Sequence, residues 1–518
     1  MVARVANATA PRVAVTTAAQ SAARDRRAMD DGVPSRALMR SAGQAAAAEI
    51  ARRFSGRLSR GVTVFVGPGH NGGDGWVVAA SLAASGVRVH VVESAAPRAA
   101  DTAAERERAL PLVVPTPPTG AERLVIDAVL GTGARETAEG EIADAIRAIR
   151  AAKRAGATVV SLDLPSGLVA DDGSGALTVE ADCTLTFGTA KRGLLLRRDL
   201  TGTVVVLDIG LGTAAQLGDD AAGLVDAAWV RAVLPRMASN AHKGTRGKLA
   251  IVGGAAGMAG AVVLGARAAL ASGAGMVKVI AEASALDAVV GAVPAALSAP
   301  WPADDAEAIA AVREWADAVV VGPGLGAAQA RGITERVAKA TPVPLVLDAD
   351  ALNAFAGDLP ALAAVARERA VLTPHAGEAA RLLGRTADEI TSRCFDVAQE
   401  LADVTDTVVL LKGVPTVVCA PGGAPFVVAR GTPALATAGS GDVLAGIIAT
   451  LLAQGVGLVE AAAAAAWGHG VAAERAGDQV PLRGVTLEDV LVALPTVWDL
   501  DVAASLPPVL AELPAVPS

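Results

Sequence analysis

Short apolar runs alternate with alanine-rich stretches of helical character from residue 62 onward. Runs that are apolar throughout, rather than at every second position, are typical of strands buried on both faces of a parallel sheet. In the first half of the chain the predicted strands are 62–66, 88–92, 124–129, 158–163, 183–187 and 204–208. This pattern predicts a doubly wound α/β domain with helices on both faces of its sheet.

The strand pattern stops after the first half and restarts later in the chain. Residues 210–242 contain several glycines, a short helical stretch and a proline, so we place a domain boundary near residue 220. In the second half the predicted strands are 249–252, 276–280, 318–321, 344–348, 370–373, 407–411, 415–419 and 426–428. At 518 residues the chain is too long for one core. Two α/β domains, 1–220 and 221–506, are expected, followed by a loose Pro- and Ala-rich tail at 507–518.

Charge and cysteine usage limit the partners and the compartment. Lys and Arg total 45 against 53 Asp and Glu, a net charge of −8, without a long basic run. This argues against nucleic acid or an anionic membrane surface as a partner. Cys183, Cys394 and Cys419 form no CxxC pair, and we expect a reducing, cytoplasmic location. The most lipid-like stretch, 443–459, is shorter than the ~20 residues of a spanning helix, so a buried helix is predicted there.

A glycine-rich loop at residues 67–75 lies between the first strand and an apolar helix predicted to begin near Trp76. Glycines let the backbone approach a ligand closely, and a helix start directs free N–H groups at an anion. Asn71 and Asp74 add groups that a phosphate cradle does not need, since a carboxylate beside phosphate is costly without a hydroxyl, an N–H or a cation to contact. The loop is therefore predicted to bind more than phosphate. The alternative is a tight strand-to-helix turn.

Carboxylates and small residues follow two further strands of the first half. Asp127 leads into Gly131-Thr132-Gly133, and Asp163 precedes Pro165 and Ser166. In open α/β sheets ligands bind beyond the carboxyl ends of the strands, so these loops are expected to share one crevice. The oxygen groups of Asn71, Asp127 and Ser166 suit a hard cation. Asp163 is a candidate general acid or base; the alternative is that it caps the following turn.

These segments carry a resemblance to a known family. Residues 67–75, 126–133, 163–167 and 187–193 are similar to the NAD(P)H-hydrate epimerases, and the similarity covers most of 15–215. The resemblance implies a Rossmann-like fold and a potassium ion at Asn71, Asp127 and Ser166, with Asp163 moving the proton during epimerisation. The implied substrate contacts are His70, Asn71, Gly72, Gly73, Asp74, the loop from Gly131 through Thr132 and Gly133 to Thr137, and Asp163. Leu168-Val169-Ala170-Asp171 departs from the family's usual Val-Asp-Ala-Asp.

In the second half, Gly439-Ser440-Gly441-Asp442 immediately precedes an apolar helix. Glycine N–H groups at that helix start form an anion hole, and Asp442 is placed to take a proton from a hydroxyl during phosphoryl transfer. The alternative is a plain helix cap. Other polar residues follow strands and are expected in the same crevice: Lys412 for nucleotide phosphates, Asn353 or Glu378 for Mg²⁺ through water, and His375 for substrate rather than structure.

With residues 241–244, 253–261 and 322–326, these motifs resemble the ribokinase-like ADP- or ATP-dependent NAD(P)H-hydrate dehydratases over roughly 225–500. The resemblance implies Mg²⁺ and nucleotide as cofactors. It assigns the hydrate to Ala261, Gly324, His375 and Asp442, and the nucleotide to Lys412, Gly413, Val414, Pro415, Thr416 and Gly441. Fused bacterial members are taken to use ADP, whereas the residues themselves do not distinguish ADP from ATP.

The chain is thus predicted to be a bifunctional metabolite-repair enzyme. Its first domain would interconvert the R and S forms of hydrated NAD(P)H, and its second would dehydrate the S form. We expect a homo-oligomer. Two alternatives stay open: a kinase of a vitamin or small alcohol, and a first domain that only binds a nucleotide and does no chemistry.

Overall fold

The structure is a computed structural model that describes residues 11–114, 118, 120–134, 137–211, 221–301, 312–500 and 507–517. The chain divides into two compact units. One comprises Arg12–Ala221 together with the described residues of Ala503–Val516, and the other comprises the described residues of Ala222–Val502. Residues 220 and 506, where the sequence places domain ends, lie outside the described residues.

The first unit is built on a seven-stranded sheet. Its strand order is β19-β8-β6-β5-β4-β2-β3, and all neighbours are parallel except β19 and β8. The strands are β2 (Val62–Val66), β3 (Val89–Glu93), β4 (Leu124–Ala128), β5 (Thr158–Leu162), β6 (Cys183–Phe187), β8 (Thr203–Leu207) and β19 (Val509–Leu513). Outside this sheet, β1 (Val13–Thr16) pairs parallel with β7 (Ala190–Lys191). The six strands predicted in this half are confirmed, with bounds that differ by at most one residue.

Helices cover this sheet on both faces. They are α1 (Ala18–Asp30), α2 (Ser35–Leu58), α3 (His70–Ala84), α4 (Ala100–Ala109), α5 (Gly140–Arg154), α6 (Arg192–Leu196) and α7 (Arg198–Thr201). Glycines bring α3 close to the sheet: a Cβ at Gly75 would lie 2.5 Å from the Ala128 Cβ. Such close approach of helix and sheet lets small side chains fill a core that has few aromatic residues.

The prediction of a loose tail at 507–518 is wrong. Residues 509–513 form strand β19, which pairs antiparallel with β8. Ala511 and Leu513 are buried, while Glu512 between them forms an ion pair with Arg53. The alternation of inward and outward residues is a strand pattern, and the prolines flank the strand instead of interrupting its ladder.

The second unit contains a larger, mostly parallel sheet. Its strand order is β12-β11-β10-β13-β14-β15-β16-β17-β18-β9, and only β17 runs antiparallel to its neighbours. The strands are β9 (Ala222–Leu224), β10 (Lys248–Val252), β11 (Met276–Ala281), β12 (Leu297–Pro300), β13 (Ala318–Val321), β14 (Leu345–Leu347), β15 (Ala370–Leu372), β16 (Val408–Leu411), β17 (Thr416–Cys419) and β18 (Phe426–Val428). All eight predicted strands are present, including the hairpin β17–β18. The sequence missed β9, which lies within 210–242, and β12.

The helices of this unit include two long buried ones that lie against the sheet. In chain order they are α8 (Ala227–Val233), α9 (Ala259–Ala271), α10 (Leu286–Ala292), α11 (Ala327–Ala340), α12 (Asp350–Asn353), α13 (Leu359–Ala366), α14 (Ala376–Leu383), α15 (Ala387–Ser392), α16 (Cys394–Thr405), α17 (Ser440–Ala453), α18 (Leu458–Gln479) and α19 (Leu487–Val497). Helix α17 is almost wholly buried, as predicted for the apolar stretch that begins at Val443. Among the described residues, no helix has both the length and the apolar character needed to cross a bilayer.

Candidate active sites

The helix after the first glycine loop begins earlier than the sequence indicates. Helix α3 starts at His70, with Gly69 as its N-cap, and not near Trp76. The loop glycines therefore form the first turns of the helix. A Cβ at Gly72 would lie 1.9 Å from the Gly67 carbonyl oxygen, and one at Gly73 would lie 2.5 Å from the Met39 side chain. Gly72 and Gly73 thus permit close packing, and the helix N-terminus faces the crevice at the sheet's edge.

A cavity of about 460 Å³ lies at this edge of the first unit. The predicted residues that line it are His70, Asn71, Asp74, Gly131, Thr132, Gly133 and Asp163. Asp127 and Ser166 are fully buried and do not reach the cavity surface. Of the predicted loop from Gly131 to Thr137, residues 135–136 lie outside the described residues. The structure thus gathers the three predicted strand-end loops at one site.

Asp163 lies at the end of β5 in a backbone conformation that side chains rarely adopt. Its φ is +64°, in the left-handed region, and its side chain is largely buried. The Lys191 ammonium lies 2.6 Å from Asp163 Oδ1, and Thr186 Oγ1 donates to the same oxygen at 3.3 Å. Strain of this kind concentrates at functional sites, where the surrounding structure enforces it.

Lys191 is a site residue to which the sequence assigned no role. Its side chain is 2% exposed, and Nζ also donates to Thr186 Oγ1 and to the Phe187 and Thr189 carbonyls. A buried ammonium held by a carboxylate and three oxygens is strongly fixed in position. Only the segment 187–193, noted for its family resemblance, pointed to this region.

The three predicted cation ligands form one buried network below the cavity. Asn71 Nδ2 donates to the carbonyls of Leu130 and Leu162, at 2.9 and 3.1 Å, and Asn71 Oδ1 is buried without a hydrogen-bond partner. Asp127 accepts from Ser161 Oγ and from both the N–H and the Oγ of Ser166, at 2.5–2.8 Å. Burial raises the pKa of Asp127, while the hydrogen bonds from Ser166 oppose that shift.

Two further carboxyl groups line the cavity. Asp74 lies on α3 and Asp25 on α1. Burial, followed by the charges of Asp163 and Asp25, raises the pKa of Asp74 well above its usual range. Burial likewise raises the pKa of Asp25, which the Lys191 charge opposes. No local pattern marks Asp25 in the sequence, because a single aspartate on an ordinary helix carries no signal of its own.

In the second unit, α17 begins directly after Gly439, whose φ is +93°. Asp442 lies in the first turn of this helix. Burial and the charge of Asp348 raise the pKa of Asp442 to about 7, and Lys412 opposes this shift. A carboxyl group that ionises near neutrality is suited to proton transfer. The N-cap of α17 is Gly439, and no side chain makes a capping hydrogen bond at this helix start, so Asp442 is not engaged as a cap.

Lys412 connects the carboxylates of this second site. Its Nζ lies 2.8 Å from Asp348 Oδ1 and 3.7 Å from Glu378 Oε2. A Cβ at Gly441 would lie 3.2 Å from the Lys412 ammonium, so the start of α17 directly adjoins this charge. Burial lowers the pKa of Lys412, but the charges of Asp348 and Glu378 outweigh it and raise the pKa.

His375 has a structural role that the sequence did not assign to it. It is the N-cap of α14, and its Nδ1 accepts from the N–H groups of Gly377 and Glu378. Its side chain is nevertheless half exposed, and a bridge pairs its backbone with that of Lys412. Nδ1 is engaged in capping and Nε2 lies 3.6 Å from Glu378 Oε1, so a ligand would contact the exposed part of this ring. A structural contact and a substrate contact are therefore compatible at this histidine.

The remaining predicted residues of the second site lie on α9, on α12 and in the loops that follow β13 and β16. Gly324 has a φ of +56°, and a Cβ there would lie 3.3 Å from that of Ala261, so these two residues adjoin. Asp350 accepts from the Gly326 N–H at 2.8 Å and holds this loop. Asn353 Oδ1 accepts from Arg381, which occupies that oxygen. The predicted nucleotide-site residues Gly413, Val414 and Pro415 follow Lys412 between β16 and β17, and Thr416 begins β17.

Sequence comparisons identify the class of protein for each half. The model of a family described as YjeF-related protein N-terminus matches residues 35–193, and that of the NAD(P)H-hydrate dehydratases matches residues 249–496. A bifunctional NAD(P)H-hydrate repair enzyme Nnr from Salinibacter ruber is 38% identical over 93% of this chain and 96% of that protein. One from Moorella thermoacetica is 36% identical with the same coverage. The chain belongs to the family of bifunctional NAD(P)H-hydrate repair enzymes, as the resemblance of both halves predicted.

Solved structures also align with the second half. A ribokinase-like superfamily protein from Enterococcus faecalis covers 53% of this chain and 94% of its own length, at 26% identity and a TM-score of 0.47. An ADP/ATP-dependent NAD(P)H-hydrate dehydratase from Bacillus subtilis, co-crystallised with ATP/Mg²⁺, covers 53% of this chain and 96% of its own, at 28% identity and a TM-score of 0.44.

Proposed function

We propose that the first unit interconverts the R and S epimers of hydrated NAD(P)H, and that the second dehydrates the S epimer using ADP or ATP. The observation that carries this proposal is that each unit brings a lysine–carboxylate ion pair into the same site as a glycine-rich helix start. Asp163 and Lys191 form one such centre, and Asp442, Asp348 and Lys412 form the other. Spontaneous hydration yields both epimers, so two activities are needed to clear them.

In the first site, epimerisation requires cleavage and re-formation of the C–O bond at the hydroxyl-bearing ring carbon. Asp163 is the proposed catalytic residue, because it lines the cavity and is held by Lys191. The strained backbone at Asp163 and the buried Lys191 ammonium fix the carboxylate in one position. The N-terminus of α3, together with residues 131–133, is proposed to hold the substrate's phosphate and sugar groups.

The first site also fits a potassium ion. The buried, unpartnered Asn71 Oδ1 is an oxygen ligand without a donor, and the Leu130 and Leu162 carbonyls lie within hydrogen-bond reach of the same side chain. The fully buried Asp127 would supply the balancing negative charge, positioned by Ser166. When bound, the cation supplies positive charge that orders the loops around the ring. We propose Asn71, Asp127 and Ser166 as its binding residues.

Replacing K⁺ with tetramethylammonium is expected to lower the epimerisation rate at least about 10-fold, because Asn71 Oδ1 would lose its charged partner. Adding K⁺ back should raise the melting temperature of the wild type. In Asn71→Leu, neither the rate nor the melting temperature should respond to K⁺. A K⁺ response that persists unchanged in this variant would contradict the assignment.

In the second site, Asp442 is the proposed catalytic base. It takes the proton of the substrate hydroxyl as a phosphoryl group is transferred, and the phosphorylated oxygen then leaves as phosphate. The N–H groups at the start of α17 and the Lys412 ammonium stabilise the phosphoryl oxygens. Asn353 Oδ1 accepts from Arg381 and Glu378 Oε2 accepts from the His375 N–H, so both side chains stay candidates for holding Mg²⁺ through water. We propose ADP as the donor.

Dehydration is expected to depend on the ionisation of Asp442. A general base works only when deprotonated, and the pKa of this carboxyl is raised to about 7. The kcat for dehydration should therefore rise with pH through about 7 and level off above it. Fixed-time assays with the S epimer between pH 5.5 and 8.5 would measure this pH dependence. A rate that is flat across the range would contradict the base assignment.

The whole proposal is tested with the purified chain, an epimer mixture, ADP and Mg²⁺. Absorbance at about 340 nm should recover fully, because both epimers are consumed. Failure to regain absorbance from either epimer would refute the proposed function. A stable phosphorylated product would instead favour the kinase alternative. Repeating the assay with ATP in place of ADP shows which nucleotide the second unit uses. A homo-oligomer and a cytoplasmic location stay predictions, to be checked by light scattering and by fractionation.

A further inference from the structure

Helix α1 presents one face to the cavity of the first unit. Ser21, Asp25 and Met29, spaced four residues apart, all line that cavity. Residues at this spacing lie one above another on a helix. Within the described residues, no hydrogen bond or ion pair engages the Asp25 carboxyl group. A polar group directed into a substrate cavity without a protein partner is available to the substrate.

The position of α1 is tied to the catalytic elements. The Ala18 N–H, at the start of α1, donates to Asp171 Oδ1 at 2.6 Å, and Asp171 belongs to the loop that follows Asp163. Immediately before α1, strand β1 pairs with β7 so that Thr16 lies opposite Lys191. The helix that carries Asp25 is therefore anchored to the segments that carry both Asp163 and Lys191.

The chemistry of epimerisation needs two proton transfers. The departing hydroxyl must receive a proton to leave as water, while the electron pair of the adjacent ring nitrogen stabilises the cationic ring. The water that then adds to the other face of the ring must lose a proton. Asp163, paired with Lys191, is suited to accept a proton, but a carboxylate held as an ion pair has none to donate. A second group must supply the first proton.

We propose that Asp25 is a second catalytic residue of the epimerase site, donating a proton to the departing hydroxyl while Asp163 accepts one from the incoming water. This inference rests on the proposed epimerase function. The C–O bond breaks with its electron pair on oxygen, and a new C–O bond forms from water. One proton moves in total from Asp25 to Asp163. Cavity water returns the proton from Asp163 to Asp25, or epimerisation in the reverse direction uses the two residues in exchanged roles.

The charged environment of the cavity is consistent with this assignment. The groups that face Asp25 there are Asp74 and His70 on α3, Asp163, Lys191 and Arg98. Burial and the neighbouring Asp163 raise the pKa of Asp25, which favours the protonated form needed in a donor. Asp74 is the remaining carboxyl group, and its position in the first turns of α3 suits substrate binding.

The test compares Asp25→Asn with Asp30→Asn, an exposed residue of the same helix that does not line the cavity. Using the R epimer of hydrated NADPH, Asp25→Asn should lower the kcat of epimerisation about 100-fold with KM changed less than about twofold. Asp30→Asn should match the wild type. Asp25→Glu, which restores a proton donor, should recover at least about 10-fold over the asparagine variant.

The outcomes separate this inference from the function on which it rests. A wild type that does not epimerise the R form refutes the proposed function. An active wild type with Asp25→Asn at full kcat, or Asp25→Glu no faster than Asp25→Asn, overturns only the role of Asp25. Dehydration of the S epimer by the second unit, measured on the same samples, confirms that equal amounts of the chain are compared. If Asp25→Asn has a lower melting temperature than the wild type, the kcat of Asp25→Glu relative to the wild type becomes the test of the proposed role of Asp25. A change in KM without a change in kcat counts against the proposal.

Discussion

Asp442→Asn is expected to abolish dehydration of the S epimer, by at least about 100-fold in kcat, while epimerisation proceeds at the wild-type rate. The physical reason is that asparagine keeps the size of aspartate and one acceptor oxygen but cannot take up a proton as a base. Asp442 lies in the first turn of α17, beside Lys412 and Asp348, with a pKa of about 7. Both rates are measured on one purified sample, with the R and the S epimer supplied separately.

A matched control distinguishes catalysis from helix capping. Asp489 occupies the first turn of α19, where it accepts from Thr486 in a capping box and is exposed. Asp489→Asn should leave both activities unchanged and lower the melting temperature only slightly. If Asp442 were only a cap, its asparagine variant would behave in the same way. Equal loss of both activities in Asp442→Asn would contradict the assignment of separate sites.

Lys191→Met is expected to lower the free energy of unfolding of the first unit by about 3–5 kcal/mol and to stop epimerisation. Methionine fills the space of the lysine stem but leaves the buried Asp163 carboxylate without its counter-charge at 2.6 Å. An uncompensated buried charge costs more than the ion pair itself contributes. Urea denaturation, followed together with epimerisation of the R form, measures both effects.

A second variant separates the stability of this pair from its catalytic role. Lys191→Met combined with Asp163→Asn removes both charges and should regain most of the lost stability, since no buried charge remains unpaired. It should stay inactive, because the proposed proton acceptor is gone. Recovery of activity with recovery of stability would show that the pair is structural. Dehydration of the S epimer should be unaffected in both variants.

The strands of both sheets could be predicted because each is a continuous apolar run. Residues 62–66 and 318–321 are buried on both faces, and such runs have few alternatives to a central parallel strand. Strands β7 and β9 are too short to show a recognisable hydrophobic pattern, and β19 lies among prolines that are typical of loops. The start of α3 was misplaced because its first turns are rich in glycine, a poor helix former in isolation.

Local sequence likewise pointed to Asn71, Asp127, Asp163 and Asp442 as candidate site residues, since strand ends and glycine-rich helix starts are short-range features. Asp25 and Lys191 have no such signal. They meet Asp163 only because β1 pairs with β7 and because α1 is held by Asp171, contacts between segments far apart in the chain. Chain order alone thus defined two α/β units, their strands and the chemistry at strand ends. Folding then decided which charges are buried together, because burial and long-range pairing depend on distances in space that no local pattern encodes.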